Sequence, residues 1–418
     1  MNKKFDLELN KMELINLIKN LISINSENPP GDMKDISIYI KSYLEENGAS
    51  VEKIEPEKGK ISLISSIGDP PYLVLNGHMD TVPVGDLNKW KVNPFSGEIL
   101  NDYLYGRGAS DMKSGLGILI YLYKNYLKYE KNLKKGLLLM CVGDEETGGA
   151  YGTKWILENK NINIYGSIIG EPTEIDNIEI GQKGSLWIHL TSKGESAHGS
   201  LNNYIGKNAI ESLIDFYEEL REYLFSMNKN IELPRNLKIL MNKSKKRMSK
   251  IMNNKNVANA LDHITINLGI IKGGTKVNVI PDFAEADLDI RIPIGLSANS
   301  VKLSVQNLKK DKDIDIEIKN LSEPNYTLPS AEIIKTFKNI AKKYDILLDT
   351  TFQWASSDAR YFRYRNIPTI QYGPATLEGI HSYNERVRIS DILTSYKIYN
   401  NVLNKILLDL NPTLSNSK

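Results

Sequence analysis

Hydrophobic positions near the start of the chain recur at helical spacing. Met12, Ile15, Leu17, Ile18, Leu21 and Ile22 share one face, so the chain is expected to open with an amphipathic helix. Asn28-Pro29-Pro30-Gly31 breaks that pattern. A second helix is expected from about Asp32 to Gly48, where the glycine suits a helix end. Apolar runs at 50–54, 61–64 and 72–75 read as strands, 116–127 as a helix, and 137–142 and 167–169 as buried strands. Strands alternating with helices imply an α/β domain built on a mostly parallel sheet.

The pattern changes near Gly184. Leu186, Ile188 and Leu190 alternate with Trp187, His189 and Thr191, as on a half-buried strand. A helix is expected over 209–223, with alternation again over 263–271 and 285–294. Strand, helix, strand, strand is the order of a small α+β module. The expected organisation is therefore a discontinuous main domain, 1–184 and 297–418, with an insert at 185–296. Within 221–262 there are 10 Lys or Arg against 3 Asp or Glu, read as a solvated, mobile excursion, with an anion-binding patch as the alternative.

Composition narrows the chemistry. The 418 residues are 41% hydrophobic and 25% charged, with 53 Lys and Arg against 51 Asp and Glu. That balance supplies no global field for nucleic acid or an anionic membrane. A single cysteine, Cys141, excludes an internal disulfide and a cysteine-built metal cluster. Its place in an apolar run marks it as a buried strand residue. No run approaches the roughly 20 apolar residues of a membrane span. Asp6, Glu8 and Glu13 interrupt the first segment, so no signal-peptide core is expected and the cytoplasm is the expected location.

Chemistry-bearing residues gather where expected strands end. Tyr72 to Leu75 leads into Asn76-Gly77-His78-Met79-Asp80. His78 and Asp80, two apart, face one side of an extended chain. That arrangement suits a metal-binding imidazole oriented by a carboxylate, or else a polar surface loop. Asp111, in the glycine-rich run 104–115, is either a helix N-cap or a carboxylate bridging two metals. The strand at 137–142 runs into Asp144-Glu145-Glu146, where adjacent side chains point apart and could divide metal binding from proton handling. Glu171 follows another expected strand, and His381 lies in a late polar loop. Two imidazoles and several carboxylates suit a borderline dication. His189 reads as a sheet residue, and His263 as a residue before a strand with no ligand partner.

Eight motifs then occur in order: GHMDTVP at 77–83, W90 and PF.G leading to LYGRGASDMKSG at 104–115, GDEETGG at 143–149, GEPTE at 170–174, SAHGS at 196–200, GG…NVIPD at 273–282, SSDAR at 356–360 and HSYNE at 381–385. Together they resemble the zinc-dependent amidohydrolase superfamily that includes succinyl-diaminopimelate desuccinylase, acetylornithine deacetylase, aminoacylase and carboxypeptidase G. The resemblance implies an α/β metallohydrolase domain with an inserted α+β lid and dimerisation domain. It implies two divalent ions per subunit, Zn2+ first and Co2+ next. His78, Asp111 and Glu171 would bind one, and Asp111, Glu146 and His381 the other. Asp80 would orient His78, and Glu145 would be the general base. His198 would stabilise the oxyanion of a partner subunit's site, while Asn278 and Arg291 would hold a substrate carboxylate. A bland reading of Arg291 is a solvent-facing strand residue, and of Asn278 a turn residue.

The implied activity is cleavage of an N-acyl amino acid, with succinyl-diaminopimelate the first expectation and acetylornithine the second. A dipeptidase or carboxypeptidase is the alternative. The expected partners are such small molecules and a second copy of the chain, with no nucleic acid and no membrane.

Overall fold

The computed structural model describes residues 9–309 and 312–408. The chain divides into two compact units, one of residues 1–180, 327–350 and 357–418, the other of 181–326 and 351–356.

The first unit is built around a sheet whose middle strands are parallel. Tyr72–His78 lies between Gly136–Val142 and Ile164–Ile169, and Thr369–Gln371 adds beside Ile164–Ile169, all parallel. Glu52–Ile54 and Ser62–Ile67 extend one side antiparallel. Asn177–Gln182 is antiparallel to Thr369–Gln371 on the other side. Middle strands flanked on both edges and covered on both faces need unbroken apolar sequence. Leu137 to Val142, all buried, supplies it and places Cys141 inside the sheet.

One face of this sheet packs Val74, Met140 and Ile169 against Ile156, Leu157, Ala359 and Phe362 of two short helices. Against the other lies Ser114–Leu127, apolar nearly all round, as a helix sandwiched between sheet and helices must be. Lys11–Ser23 and Ile389–Leu408 pack on it in turn. Asn10 caps Lys11–Ser23 by accepting from the Glu13 amide at 3.2 Å. No described helix is long and apolar enough to cross a membrane.

The second unit is a four-stranded antiparallel sheet in the order Thr265–Gly273, Phe283–Ile292, Gly184–Lys193, Ile314–Ser322. Its buried face joins Leu186, Ile188, Leu190, Leu288 and Ile290 to Leu213, Phe216 and Leu220 of helix Ala209–Met227 and Val301 and Val305 of helix Ala298–Leu308. The boundary expected at 296/297 therefore moves to 326/327. Ala298–Leu308 and Ile314–Ser322 bury their apolar positions in the insert's core, a partnership that the run of elements along the chain did not reveal. The basic stretch is a further correction. Residues 235–251 form a helix that buries Leu237, Leu240, Met241 and Met248 and turns its lysines outward, so it is a packed amphipathic element rather than a mobile excursion.

Candidate metal centre

The parallel register brings the strand ends to one edge of the first unit. His78 pairs with Val142, and Asn76 and Gln371 both pair with Ile169. Loops leaving these strands carry Glu145 and Glu146, Glu171 and His381 to the same side, the crevice at the carboxyl ends of parallel strands where α/β sheets place their ligands.

Asp111 sits at the centre. His78 Nε2 lies 3.1 Å from Asp111 Oδ1, and His381 Nε2 lies 3.2 Å from Asp111 Oδ2. His381 Nε2 is also 3.3 Å from Glu146 Oε2, and His78 Nε2 is 4.0 Å from Glu171 Oε2. Asp111 is not an N-cap: the helix starts at Ser114 with no side-chain cap. Two sets, His78 with Glu145 and Glu171, and His78 with Asp111 and Glu146, have ligand atoms within 4.8 Å of one another. Glu145 thus stands as close to His78 and Glu171 as a ligand would.

The donor set fits paired dications. The outer oxygens Glu146 Oε1 and Glu171 Oε1 are buried and have no hydrogen-bond partner among the described residues. Buried carboxylate oxygens left unpaired are costly unless a cation meets them. Electrostatics point the same way. Burial, and then the charge of Glu171, holds the Glu145 carboxyl well above the usual range. Burial likewise raises Glu171 and Glu146. Burial opposes charge on His78, yet its bond to Asp111 and the nearby carboxylates raise its pKa well above 6.5. Hydrogen bonds to Asp111 and Glu146 raise His381 to about 10.

Asp80 acts differently from the expectation. His78 Nδ1 donates to the backbone carbonyl of Asp80 at 2.8 Å, while the nearer carboxylate oxygen is 3.6 Å away. That carboxylate instead accepts from the amides of Glu145 at 3.2 Å and Glu146 at 3.1 Å and from Asn28 Nδ2 at 2.9 Å. Asp80 therefore orients the imidazole through its main chain and fixes the Glu145–Glu146 turn through its side chain. Asn28 was missed as a site residue, although its Pro-Pro-Gly context marked a special backbone. Arg360 and Tyr361 were missed too: both donate to the Gly148 carbonyl, at 2.6 and 2.5 Å, closing the same turn.

The other expected residues lie in the second unit. His198 is exposed, its Nδ1 2.8 Å from Ser200 Oγ. Next to it, the Asn278 carbonyl accepts from the Gly199 amide at 2.9 Å, leaving the Asn278 residue exposed. Arg291 Nε pairs with Asp289 at 2.8 Å and Nη1 donates to Ser356 at 3.3 Å, so part of its guanidinium is committed within the unit. His189 Nδ1 lies 2.8 Å from Asp287 and His263 Nδ1 2.7 Å from Asp262, and neither histidine belongs to a ligand cluster among the described residues.

A sheet ending in this constellation defines a metal-dependent amidohydrolase, and the comparisons agree. Residues 74–405 match the profile of Peptidase family M20/M25/M40, so the chain belongs to that family and is a hydrolase of amide bonds. It is 30% identical to the succinyl-diaminopimelate desuccinylase of Pelagibacter ubique over 346 residues, covering 80% of this chain and 82% of the relative. Among solved structures, the M20 family metallo-carboxypeptidase of Sulfolobus solfataricus superposes with a TM-score of 0.78 at 21% identity, covering 95% of this chain and 99% of the other. A Bacillus subtilis protein described as a dinuclear metal binding peptidase of the family superposes at 0.65 with 13% identity, covering 96% and 99%.

Proposed function

We propose that this chain is a two-metal deacylase that cleaves the amide of an N-acyl amino acid, with succinyl-diaminopimelate as substrate and a role in amino-acid biosynthesis in the cytoplasm. The observation that carries the two-metal reading is Asp111, whose two oxygens each face an imidazole, 3.1 and 3.2 Å away. His78, Asp111 and Glu171 would hold one ion, and Asp111, Glu146 and His381 the other. Zn2+ suits this mixed imidazole and carboxylate set, with Co2+ next. Bound there, the ions would polarise the amide carbonyl and ease deprotonation of the attacking water.

The chain's own residues do the rest. Glu145, held by its amide on Asp80, takes the proton of the attacking water and returns it to the leaving amine. Its carboxyl is buried among like charges, which raises its affinity for the proton it takes up. The second unit serves as lid and dimerisation domain. In a homodimer, His198 stabilises the oxyanion at a second subunit's site. Asn278 and Arg291 hold the substrate's free carboxylate. Similarity to the Pelagibacter succinyl-diaminopimelate desuccinylase supports the acyl substrate. The fold shared with the Sulfolobus metallo-carboxypeptidase supports the second reading, a peptidase using the same centre. Acetylornithine is the next deacylase substrate.

The test is release of free amine from a panel of N-acyl amino acids and dipeptides by zinc- or cobalt-loaded protein. Turnover of succinyl-diaminopimelate far above the rest is the expected result. Activity confined to dipeptides would replace the deacylase reading with the peptidase one. No cleavage with two metals bound would overturn both.

A further inference from the structure

Glu385 is almost completely buried, 1% exposed, and none of the ligand roles uses it. Its carboxylate gathers four donors. Oε1 accepts the amides of Ser110 at 2.9 Å and Asp111 at 3.0 Å. Oε2 accepts the Gly108 amide at 3.1 Å and Arg107 Nη1 at 2.7 Å. Arg107 is held in turn, donating Nη2 to the Pro83 carbonyl at 3.2 Å and lying 5.2 Å over the Trp90 ring. The main chain continues the link: the Gly106 amide donates to the Glu385 carbonyl at 3.0 Å, and Ser110 Oγ donates to the Arg386 carbonyl at 2.8 Å. Arg386–Arg388 then pairs antiparallel with Tyr103–Tyr105.

The segment 107–111 has no regular hydrogen-bonding ladder of its own. Asp111 has φ −118° and ψ 94°, outside a helix, just before Ser114–Leu127 begins. Backbone amides of such a turn need another acceptor if buried. Glu385 supplies it for three of them. It is also four residues past His381, on the same loop. One carboxylate therefore ties together the two chain segments that place Asp111 between His78 and His381.

We propose that Glu385 is a positioning residue that fixes the backbone of the metal-bridging Asp111 and joins it to the His381 loop before any metal arrives. The inference rests on reading Asp111 as a metal ligand. Partners that orient ligands from behind are worth on the order of 10–100-fold in metal affinity. Glutamine at this position would turn an NH2 group against one of the two donor pairs, breaking it.

The experiment titrates metal-free wild type and Glu385→Gln with Co2+, following heat and the visible absorption of the bound ion. Phe337→Ala serves as a control for lost stability alone, because Phe337 packs 5.4 and 6.0 Å from Tyr372 and Tyr399 and bears no ligand. The expected result is a 10–100-fold weaker Co2+ affinity and a changed spectrum for Glu385→Gln, with Phe337→Ala like wild type. Equal affinity and an unchanged spectrum in a folded Glu385→Gln protein would overturn the inference while leaving the metal centre standing. No Co2+ binding by wild type would instead overturn the metal reading itself. Should Glu385→Gln fail to fold, hydrogen exchange of wild type decides. Amides of 108–111 are expected to be protected without metal, and free exchange there until Co2+ is added would overturn the proposal.

Discussion

The imidazole of His78 donates its Nδ1 proton to the main-chain carbonyl of Asp80, at 2.8 Å, and not to the Asp80 carboxylate. The bond orients the ring so that Nε2 faces Asp111. The Asp80 carboxylate is thereby released to anchor the turn bearing Glu145 and Glu146.

This division of labour separates two outcomes. Asp80→Asn keeps the main-chain bond and weakens the turn. We expect both metals to stay bound while kcat falls on the order of 10²-fold, as for a misplaced general base. Metal counting beside steady-state kinetics checks it. Loss of one metal would show that the carboxylate acts through His78 after all.

Glu145→Ala removes the proton shuttle and leaves His78, Asp111, Glu146, Glu171 and His381 in place. Turnover should fall by several orders of magnitude, on the order of 10²–10⁴ or more, with metal content kept. Near-normal kcat would withdraw Glu145 as base, and loss of metal would make it a ligand.

Metal binding should release protons. In the metal-free centre, hydrogen bonds to Asp111 and Glu146 raise His381 to about 10, so it carries the extra proton at pH 7, and the bond to Asp111 raises His78 in the same direction. Burial also raises Glu145, Glu146 and Glu171. Ligands bind metal in their deprotonated forms. Affinity should therefore rise as pH rises and fall as it is lowered. Calorimetry at pH 7 in buffers of differing ionisation enthalpy should report net release of about one proton or more per chain. Proton uptake, or none, would contradict the sign.

Gly115 has no room for a side chain, since a Cβ there would meet the Gly170 carbonyl oxygen at 1.9 Å. Gly170 immediately precedes Glu171, which the proposed centre uses as a ligand. Gly115→Ala should cost roughly 1–3 kcal/mol by overpacking and weaken metal binding by shifting Glu171. Thermal melts of metal-free protein and a Co2+ titration test the two halves separately.

Phe337→Ala should cost about 3–5 kcal/mol, because it opens a cavity beside Tyr372 and Tyr399, whose rings are themselves 5.2 Å apart. Denaturant melts measure it. A change below about 1 kcal/mol would mean that this cluster contributes little to the fold.

The alternation of apolar strands and helices, and the carboxylates and histidines at strand ends, were local properties and could be read from the chain alone. Tyr72–His78, Gly136–Val142 and Ser114–Leu127 follow from unbroken apolar runs, whose burial needs no knowledge of the partner. The motifs around His78, Asp111, Glu146, Glu171 and His381 were legible for the same reason: each lies within a few residues of a strand or helix end. What only the tertiary structure decided involves partners far apart in sequence. Ala298–Leu308 and Ile314–Ser322 joined the inserted unit because their apolar faces complete its core. Periodicity states that a face is apolar without stating what covers it. The Asp80 carboxylate and Glu385 found their work in the same way. A buried acid takes the donors that folding brings within reach, here amides 65 and 275 positions away, and no spacing along the chain encodes that choice.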